Sequence, residues 1–381
     1  MPTCIQINLQ QHFGGGEVYT RFLSEALIKQ GWKVELYAHR SADFWHGLDL
    51  KGTRINWVSD ATEIPRRIGE TTAATLIITH GPPTKTLLES LQGKGHLCAI
   101  AHMPVHNRSV DGFFGLHRVF GVSHYVIDTL QGKQVPSVHP EPLYGVADLR
   151  GGEPSNTTPI RRNSPYDWDL RKGRDRLLSW IYPFYQALRP QLQFEPRPGT
   201  TLGIVSRITT IKQFDKLFSL LAPLIAGFPQ LHLEIFGAGG YASVRDLRKA
   251  LQPIAAQTRW WGHQQQVAAV YPRLDYLLTG LPEREALGLN VLEAQACGTP
   301  VLAVDGGPFR ETVQHGRTGW LYKDPRDDGG KDFKTLISTL TTQGTTLDPR
   351  NAQDHFERFS TTAFAERINR IFRATLTAKS S

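Results

Sequence analysis

Two hydrophobic periods alternate along the chain from its start. Residues 4–9 (CIQINL) form an apolar run of strand length. After a turn of three glycines, residues 17–30 carry Val18, Phe22, Leu23, Ala26 and Leu27 at helical spacing. Gly31 stops that helix, and residues 33–37 (KVELY) predict the next strand. Further strands are expected at 55–58, 76–79, 97–101 and 119–122. The same grammar restarts at 202–205. A helix over 214–224 follows, then strands at 231–236, 258–261 and 276–278, a helix at 289–296 and a strand at 300–304. Short β runs alternating with helices predict parallel sheets covered by helices. Two halves of similar size favour two Rossmann-like domains over one barrel, because residues 151–199 interrupt the alternation.

That interruption holds seven prolines, so most of it reads as loop. It also holds eight Lys/Arg against five Asp/Glu. Within it, Trp180, Ile181, Tyr182, Phe184 and Tyr185 lie between Arg174, Arg176 and Arg189, a composition that suits a membrane headgroup boundary. Pro183 is expected to break a helix there, and packing of the aromatics on their own domain accounts for them equally well. Near the end, Phe364, Ile368, Ile371 and Phe372 form an apolar stripe that predicts an amphipathic helix over 364–376, ahead of a TAKSS tail.

Composition narrows the class. The 381 residues suit two domains, and 40% hydrophobic with 20% charged residues excludes a disordered chain. No apolar run reaches the roughly 18–20 residues that span a bilayer. The start, MPTCIQINLQQHFGGGE, lacks a basic segment followed by an apolar core. Cys4, Cys98 and Cys297 are odd in number and far apart, which fits neither a disulfide framework nor a zinc pattern and points to a reduced, cytoplasmic setting. The net charge of +8 suits a phosphate-bearing ligand, an anionic membrane or a nucleic acid alike.

Three constellations carry candidate chemistry. Gly14, Gly15 and Gly16 lie between a strand and a helix, where a close backbone and a helix N-terminus suit phosphate, although a plain tight turn would look the same. The spacing is not the dinucleotide fingerprint, which disfavours a nicotinamide dehydrogenase. Arg207 and Lys212 follow the first strand of the second half, where two fixed cations would hold a pyrophosphate; solvated surface cations are the plain alternative. Glu285 and Glu293 are eight apart, with Gly288 in a loop between them. The N–H groups of Leu289 and Asn290 would then point at phosphate or sugar oxygens, and the carboxylates would suit vicinal hydroxyls. His102 and His80 each end a strand, and His106 lies four residues beyond His102. Pro104 argues against a helical metal pair there.

Together these motifs resemble glycosyltransferase family 4. The family carries E-G-F-G-L-P-x-x-E-A-x-A-x-G-x-P, and this chain has E-A-L-G-L-N-V-L-E-A-Q-A-C-G-T-P from Glu285. The family's G-R-x-x-x-x-K-G is similar to S-R-I-T-T-I-K-Q, ending at Gln213. The N-terminal G-G-x-E is present. Phe236–Gly240 (FGAGG), residues 307–319 (GPFRETVQHGRTG) and, weakly, residues 144–148 (YGVAD) resemble further family segments. The likeness covers nearly the whole chain except 151–199.

The resemblance implies an α/β chain of GT-B fold, with two facing Rossmann-like domains and a cleft between them. Residues 1–150 would be the acceptor domain, with a helix over about 361–381 packing back on it. Residues 151–199 would be an insert or linker, and 200–360 the nucleotide-sugar donor domain. It implies a retaining glycosyltransferase acting on a glycan or lipid-linked acceptor, in cell-surface polysaccharide synthesis by family habit. Arg207 and Lys212 would bind the donor pyrophosphate, Glu293 the ribose, and Glu285 the transferred sugar beside Gly288, Leu289 and Asn290. Gly15, Gly16 and Gly237 would approach the nucleotide sugar, and His102 would face the donor sugar. No metal is expected, and Asp167-Trp168-Asp169 is read as a chance D-x-D match outside a nucleotide-binding strand. The expected setting is cytoplasmic, with peripheral membrane contact through 175–189. Ala286, Leu287, Asn290, Ser206 and Gln213 depart from the family pattern and leave its charged groups intact. A sugar-nucleotide epimerase of the same fold is the rival enzyme. A nucleic-acid-binding protein would need clustered Lys/Arg and a known module, and neither stands out.

Overall fold

The protein's structure, a computed structural model, describes residues 1–69, 71–147, 158–168, 173–187, 192–343 and 347–377, apart from the side chains of 185–187 and 343. Asp148, Asp169, Arg189, the side chain of Tyr185 and residues 378–381 of the TAKSS tail lie outside the described residues. The chain divides into two units, Met1–Val146 with Asp354–Ser381, and Ala147–Gln353.

The first unit holds strands β1 (Thr3–Asn8), β2 (Lys33–His39), β3 (Thr53–Val58), β4 (Thr75–Thr79), β5 (His96–Ala101) and β6 (Arg118–Gly121). They form one parallel sheet in the order β3-β2-β1-β4-β5-β6. Leu76, Ile77 and Ile78 of β4 are all buried, as expected of a parallel strand covered on both faces. Helices α1 (Gly15–Lys29) and α2 (Lys85–Leu91) connect strands, and α3 (His124–Gly132) follows β6. Thr84 caps α2 by accepting from Leu87 N–H, and Ser123 caps α3 by accepting from Val126 N–H.

The second unit repeats the plan with β7 (Thr200–Val205), β8 (Leu231–Phe236), β9 (Thr258–Gly262), β10 (Tyr276–Leu278), β11 (Val301–Val304) and β12 (Gly319–Tyr322). Their order is β12-β11-β10-β7-β8-β9, again parallel. Its longer helices are α4 (Gly173–Ala187), α5 (Phe214–Ile225), α6 (Tyr241–Ala250), α7 (Leu289–Ala296) and α8 (Lys331–Gln343). Phe214, Leu217, Phe218 and Leu221 of α5 share one core cluster with Leu202, Ile204, Leu233 and Ile235 of the sheet. The chain then ends in the first unit as α9 (Thr361–Thr377). The Phe364 ring meets Tyr19 of α1 edge-on at 5.5 Å, and Trp32 Nε1 donates to Asn369 at 3.0 Å.

Two sequence expectations change. The stretch 151–199 does not stand apart where it is described. Ile160 and Phe194 lie in a core cluster with Val205, Phe236 and Trp261. Asn163 N–H donates to the Trp261 carbonyl at 2.8 Å, and Asp167 N–H to the Gly239 carbonyl at 2.9 Å. The prolines keep these stretches extended without stopping them from packing. Pro183, in turn, does not break its helix: α4 runs through it. A proline removes one helical hydrogen bond, and on an exposed helix the freed carbonyl turns to water.

Each sheet reverses its order once, between β1 and β4 and between β7 and β10. In open α/β sheets ligands bind outside the strand C-termini at such a reversal. The candidate residues of each unit cluster at its reversal.

Candidate active site

In the second unit, Arg207 and Lys212 lie on the loop from β7 to α5, and Glu285 lies beyond β10, the strand beside β7. Lys212 Nζ and Glu285 form an ion pair, with 23% and 14% of their side chains exposed. Arg207 is on the same loop and exposed. The loop rests on backbone. Ser206 N–H donates to the Phe236 carbonyl at 3.1 Å, and Leu281 N–H donates to the Lys212 carbonyl at 3.2 Å. A Cβ at Gly237 would overlap the Ser206 carbonyl oxygen, and one at Gly280 would overlap that of Lys212. Glycines after β8 and β10 therefore set the height at which the two cations sit. Sequence reading placed Gly237 against the nucleotide sugar; its geometry here is that of a seat for Ser206.

Helix α7 starts from Gly288, whose φ of +82° is left-handed and which supplies no side-chain cap to the first N–H groups. Leu289 opens the helix. Asn290 Nδ2 donates to the carbonyl of Val205 at 3.2 Å, tying the helix start to the end of β7. One turn in, Glu293 accepts from Tyr271 Oη at 2.8 Å. Burial, and then the Glu293 charge, hold the Tyr271 phenol well above its usual range, so Tyr271 is a fixed donor. Glu285 and Glu293 thus have separate partners, a cation and a phenol.

In the first unit, Gly14 is the extended N-cap of α1, and Gly15 and Gly16 are its first residues. A Cβ at Gly16 would meet nothing within 4 Å, so its lack of a side chain answers no packing need among the described residues. The two strand-end histidines are partners: His80 Nδ1 and His102 Nε2 are 2.9 Å apart. Their planes differ by 8° with centroids 5.2 Å apart, which places the rings end to end along that hydrogen bond. His80 Nε2 is 2.9 Å from Gln6 Oε1, and the Tyr19 ring meets His102 edge-on at 4.9 Å. Burial pushes His102 down to about 4 and His80 well below the usual range, so both rings are neutral near pH 7. His106 faces Tyr125, its Nε2 2.7 Å from the hydroxyl, and not His102. Among the described residues no three His, Cys, Asp or Glu side chains converge as metal ligands. The three thiols are buried, and burial raises Cys98 and Cys297 to about 12.

Sequence reading missed Tyr271, Gln6, Thr20 and Ser24. Tyr271 carried no signal beyond an aromatic in an apolar stretch. Gln6 did carry one: it is a polar residue inside a strand otherwise fit for burial on both faces.

Parts of the chain are similar to known proteins. Residues 189–340 match the family of glycosyl transferases group 1. The D-inositol 3-phosphate glycosyltransferase of Rhodococcus erythropolis is 34% identical over 177 residues, 43% of this chain and 39% of the relative. The N-acetyl-alpha-D-glucosaminyl L-malate synthase of Bacillus anthracis is 29% identical over 117 residues, 31% of this chain and 30% of that relative. The chain thus spans about two fifths or less of the curated relatives it matches. Solved structures match over nearly all of it. Sucrose-phosphate synthase from Thermosynechococcus elongatus superposes with a TM-score of 0.71 at 16% identity, covering 100% of both chains. Anabaena HepE, solved in complex with UDP and glucose, superposes with a TM-score of 0.68 at 14% identity, covering 98% of this chain and 100% of that one. The family match lies within the second unit, and the chain has the GT-B fold.

Proposed function

We propose that the chain transfers a sugar from a nucleoside diphosphate sugar to a glycan or lipid-linked acceptor, with retention of anomeric configuration, in cell-surface polysaccharide synthesis. One observation carries the reading: the Lys212–Glu285 pair sits at the sheet reversal of the second unit, with Lys212 on the same loop as Arg207. A nucleoside diphosphate is already a good leaving group, so the protein needs to orient the acceptor and stabilise separating charge. Arg207, Lys212 and the N–H groups of Leu289 and Asn290 would meet the charge on the departing diphosphate, without a metal ion. Glu293, held by Tyr271, would accept from the ribose hydroxyls, and Glu285 would contact the transferred sugar. His102, Gly15 and Gly16 would serve the donor from the first unit, which would also take the acceptor.

In the retaining step, the anomeric carbon's bond to the phosphate oxygen breaks as its bond to the acceptor oxygen forms on the same face. The acceptor's proton passes to the departing phosphate. Relatives named for D-inositol 3-phosphate and L-malate make small hydroxylated acceptors worth testing beside glycans and lipids. HepE was solved with UDP-glucose, which makes UDP-sugars the first donors to test.

The test is release of UDP from UDP-glucose and related donors with and without acceptor. Release that requires acceptor supports transfer, and a sugar epimer formed without acceptor supports the rival epimerase. Arg207→Ala and Lys212→Ala should each lower turnover about 10²-fold or more with unchanged circular dichroism. Near-normal rates in both variants would overturn the assignment.

A peripheral membrane location is the second part of the proposal. Leu177, Trp180, Ile181 and Phe184 of α4 are exposed at i, i+3, i+4, i+7 spacing, beside Arg174 and Arg176. Among the described residues no helix is long and apolar enough to cross a membrane. An apolar stripe beside arginines fits an anionic lipid surface.

A further inference from the structure

The polar side chains between β1 and α1 form a hydrogen-bond chain whose direction is set at its far end. The Thr20 carbonyl can only accept, so Ser24 Oγ donates to it at 2.9 Å. That uses the one hydroxyl proton, so Ser24 Oγ accepts from Gln6 Nε2 at 2.7 Å. The Gln6 amide is thereby oriented, with Oε1 toward His80. His80 Nε2–H donates to it at 2.9 Å. A neutral His80 then has a lone pair at Nδ1, which accepts from His102 Nε2–H at 2.9 Å. Thr20 Oγ1 does not compete for these nitrogens. It lies nearly equidistant from the two nitrogens of His80, at 3.2 and 3.4 Å, and so on the axis of neither, and it donates its proton to the Gly16 carbonyl at 2.8 Å.

We propose that Gln6 and His80 are positioning residues that lock His102 in its Nε2–H tautomer, so that His102 Nδ1 offers a lone pair and selects a ligand hydroxyl. A sugar hydroxyl fits such an acceptor; a carboxylate or phosphate oxygen, which has no proton to give, does not. Gln6 and Ser24 are fully buried, which shields the relay from water. The ligand half of this inference rests on the reading of His102 as a donor-sugar contact. The tautomer is a property of the free protein and is tested by itself.

The experiment is long-range proton–nitrogen NMR on the full chain with 15N-labelled histidine, assigned through His80→Asn and His102→Gln. Both rings should carry their proton on Nε2. A proton on Nδ1 of His102 overturns the inference, with or without activity. Gln6→Met should leave His102 as a mixture of tautomers and lower kcat/KM for UDP-glucose about tenfold, with UDP affinity unchanged. If that variant fails to fold, the wild-type spectrum still decides. Adding UDP-glucose, but not UDP, should shift the His102 Nδ1 resonance. The expected tautomer without that shift would overturn the sugar contact and leave the relay standing.

Discussion

At Gln213 the chain departs from the family's glycine, and the backbone shows what that entails. Gln213 has φ +52°, a left-handed conformation that costs a side-chain-bearing residue about 1–2 kcal/mol. Its side chain offsets part of this by donating to Glu283 at 3.1 Å and accepting from Lys216 at 3.3 Å. Gln213→Val, β-branched and without those bonds, should be less stable than Gln213→Gly by about 1–2 kcal/mol. Equal urea midpoints for the two would show that the left-handed cost is not felt. The paired histidines give a second residue-scale expectation. Unfolded histidine takes a proton near 6.5, whereas burial holds folded His102 to about 4. Stability should therefore fall as pH drops from 6.5 toward 4, by up to about 1.4 kcal/mol per pH unit for each ring, and be insensitive to these groups above pH 7. Melting curves at pH 7 and pH 5 should converge in a His80→Asn/His102→Gln double variant relative to wild type. An unchanged gap would mean that the rings are charged in the folded state. At this scale the charged groups were legible because a cation or carboxylate just beyond an apolar strand has little structural reason to be there. The Tyr271–Glu293 bond was not, because a buried tyrosine's partner depends on the fold.

Elements were legible where apolar runs are bounded on both sides. The strands at 231–236 and 276–278 and the helix at 289–296 occupy the residues the pattern predicts. Helix α6 escaped because only Val244 and Leu247 of it are fully buried, and β12 because four residues carry too little period. What sequence could not supply was how one loop rests on another. The β7–α5 loop lies on glycines after β8 and β10, so its cations are positioned by strands distant in sequence. Gly280→Ala should push the Lys212 backbone outward, lowering stability by about 2 kcal/mol and turnover along with it, because overpacking costs about 1–3 kcal/mol. Full turnover in a folded Gly280→Ala protein would separate Lys212 from that seat. Glu234 of β8 secures the other side of the sheet. It is 1% exposed, accepts from Arg197 and Arg259 at 2.8 and 2.9 Å, and accepts from Trp261 Nε1 at 2.7 Å. Glu234→Ala leaves two arginines around an emptied site and should cost about 3–5 kcal/mol in chemical denaturation. A loss below about 1 kcal/mol would mean that water replaces the carboxylate there.

For the whole molecule, the open question in the sequence was where a net charge of +8 and an interrupted α/β pattern lead. The described parts of 151–199 answer it in two ways. Ile160 and Phe194 belong to the core of the second unit, so deleting the stretch would damage the fold and say nothing about lipid. Helix α4 also turns two different faces. Asp175 is buried, and the Tyr182 ring meets Tyr166 and Trp168 at 5.8 and 5.7 Å, while Trp180 and Phe184 are 69% and 65% exposed. The outer face can therefore be altered without touching the inner one. Trp180→Ala/Phe184→Ala should keep its melting temperature, because both side chains are already in water. Sedimentation with vesicles of anionic phospholipid should fall about tenfold or more, since partial burial of two aromatics exceeds about 1.4 kcal/mol. Binding by wild type should weaken as salt screens Arg174 and Arg176, and the remaining apolar part should persist at high salt. Equal pelleting of variant and wild type, or no pelleting of wild type, would remove the membrane from the reading while leaving the sugar-transfer site unaffected.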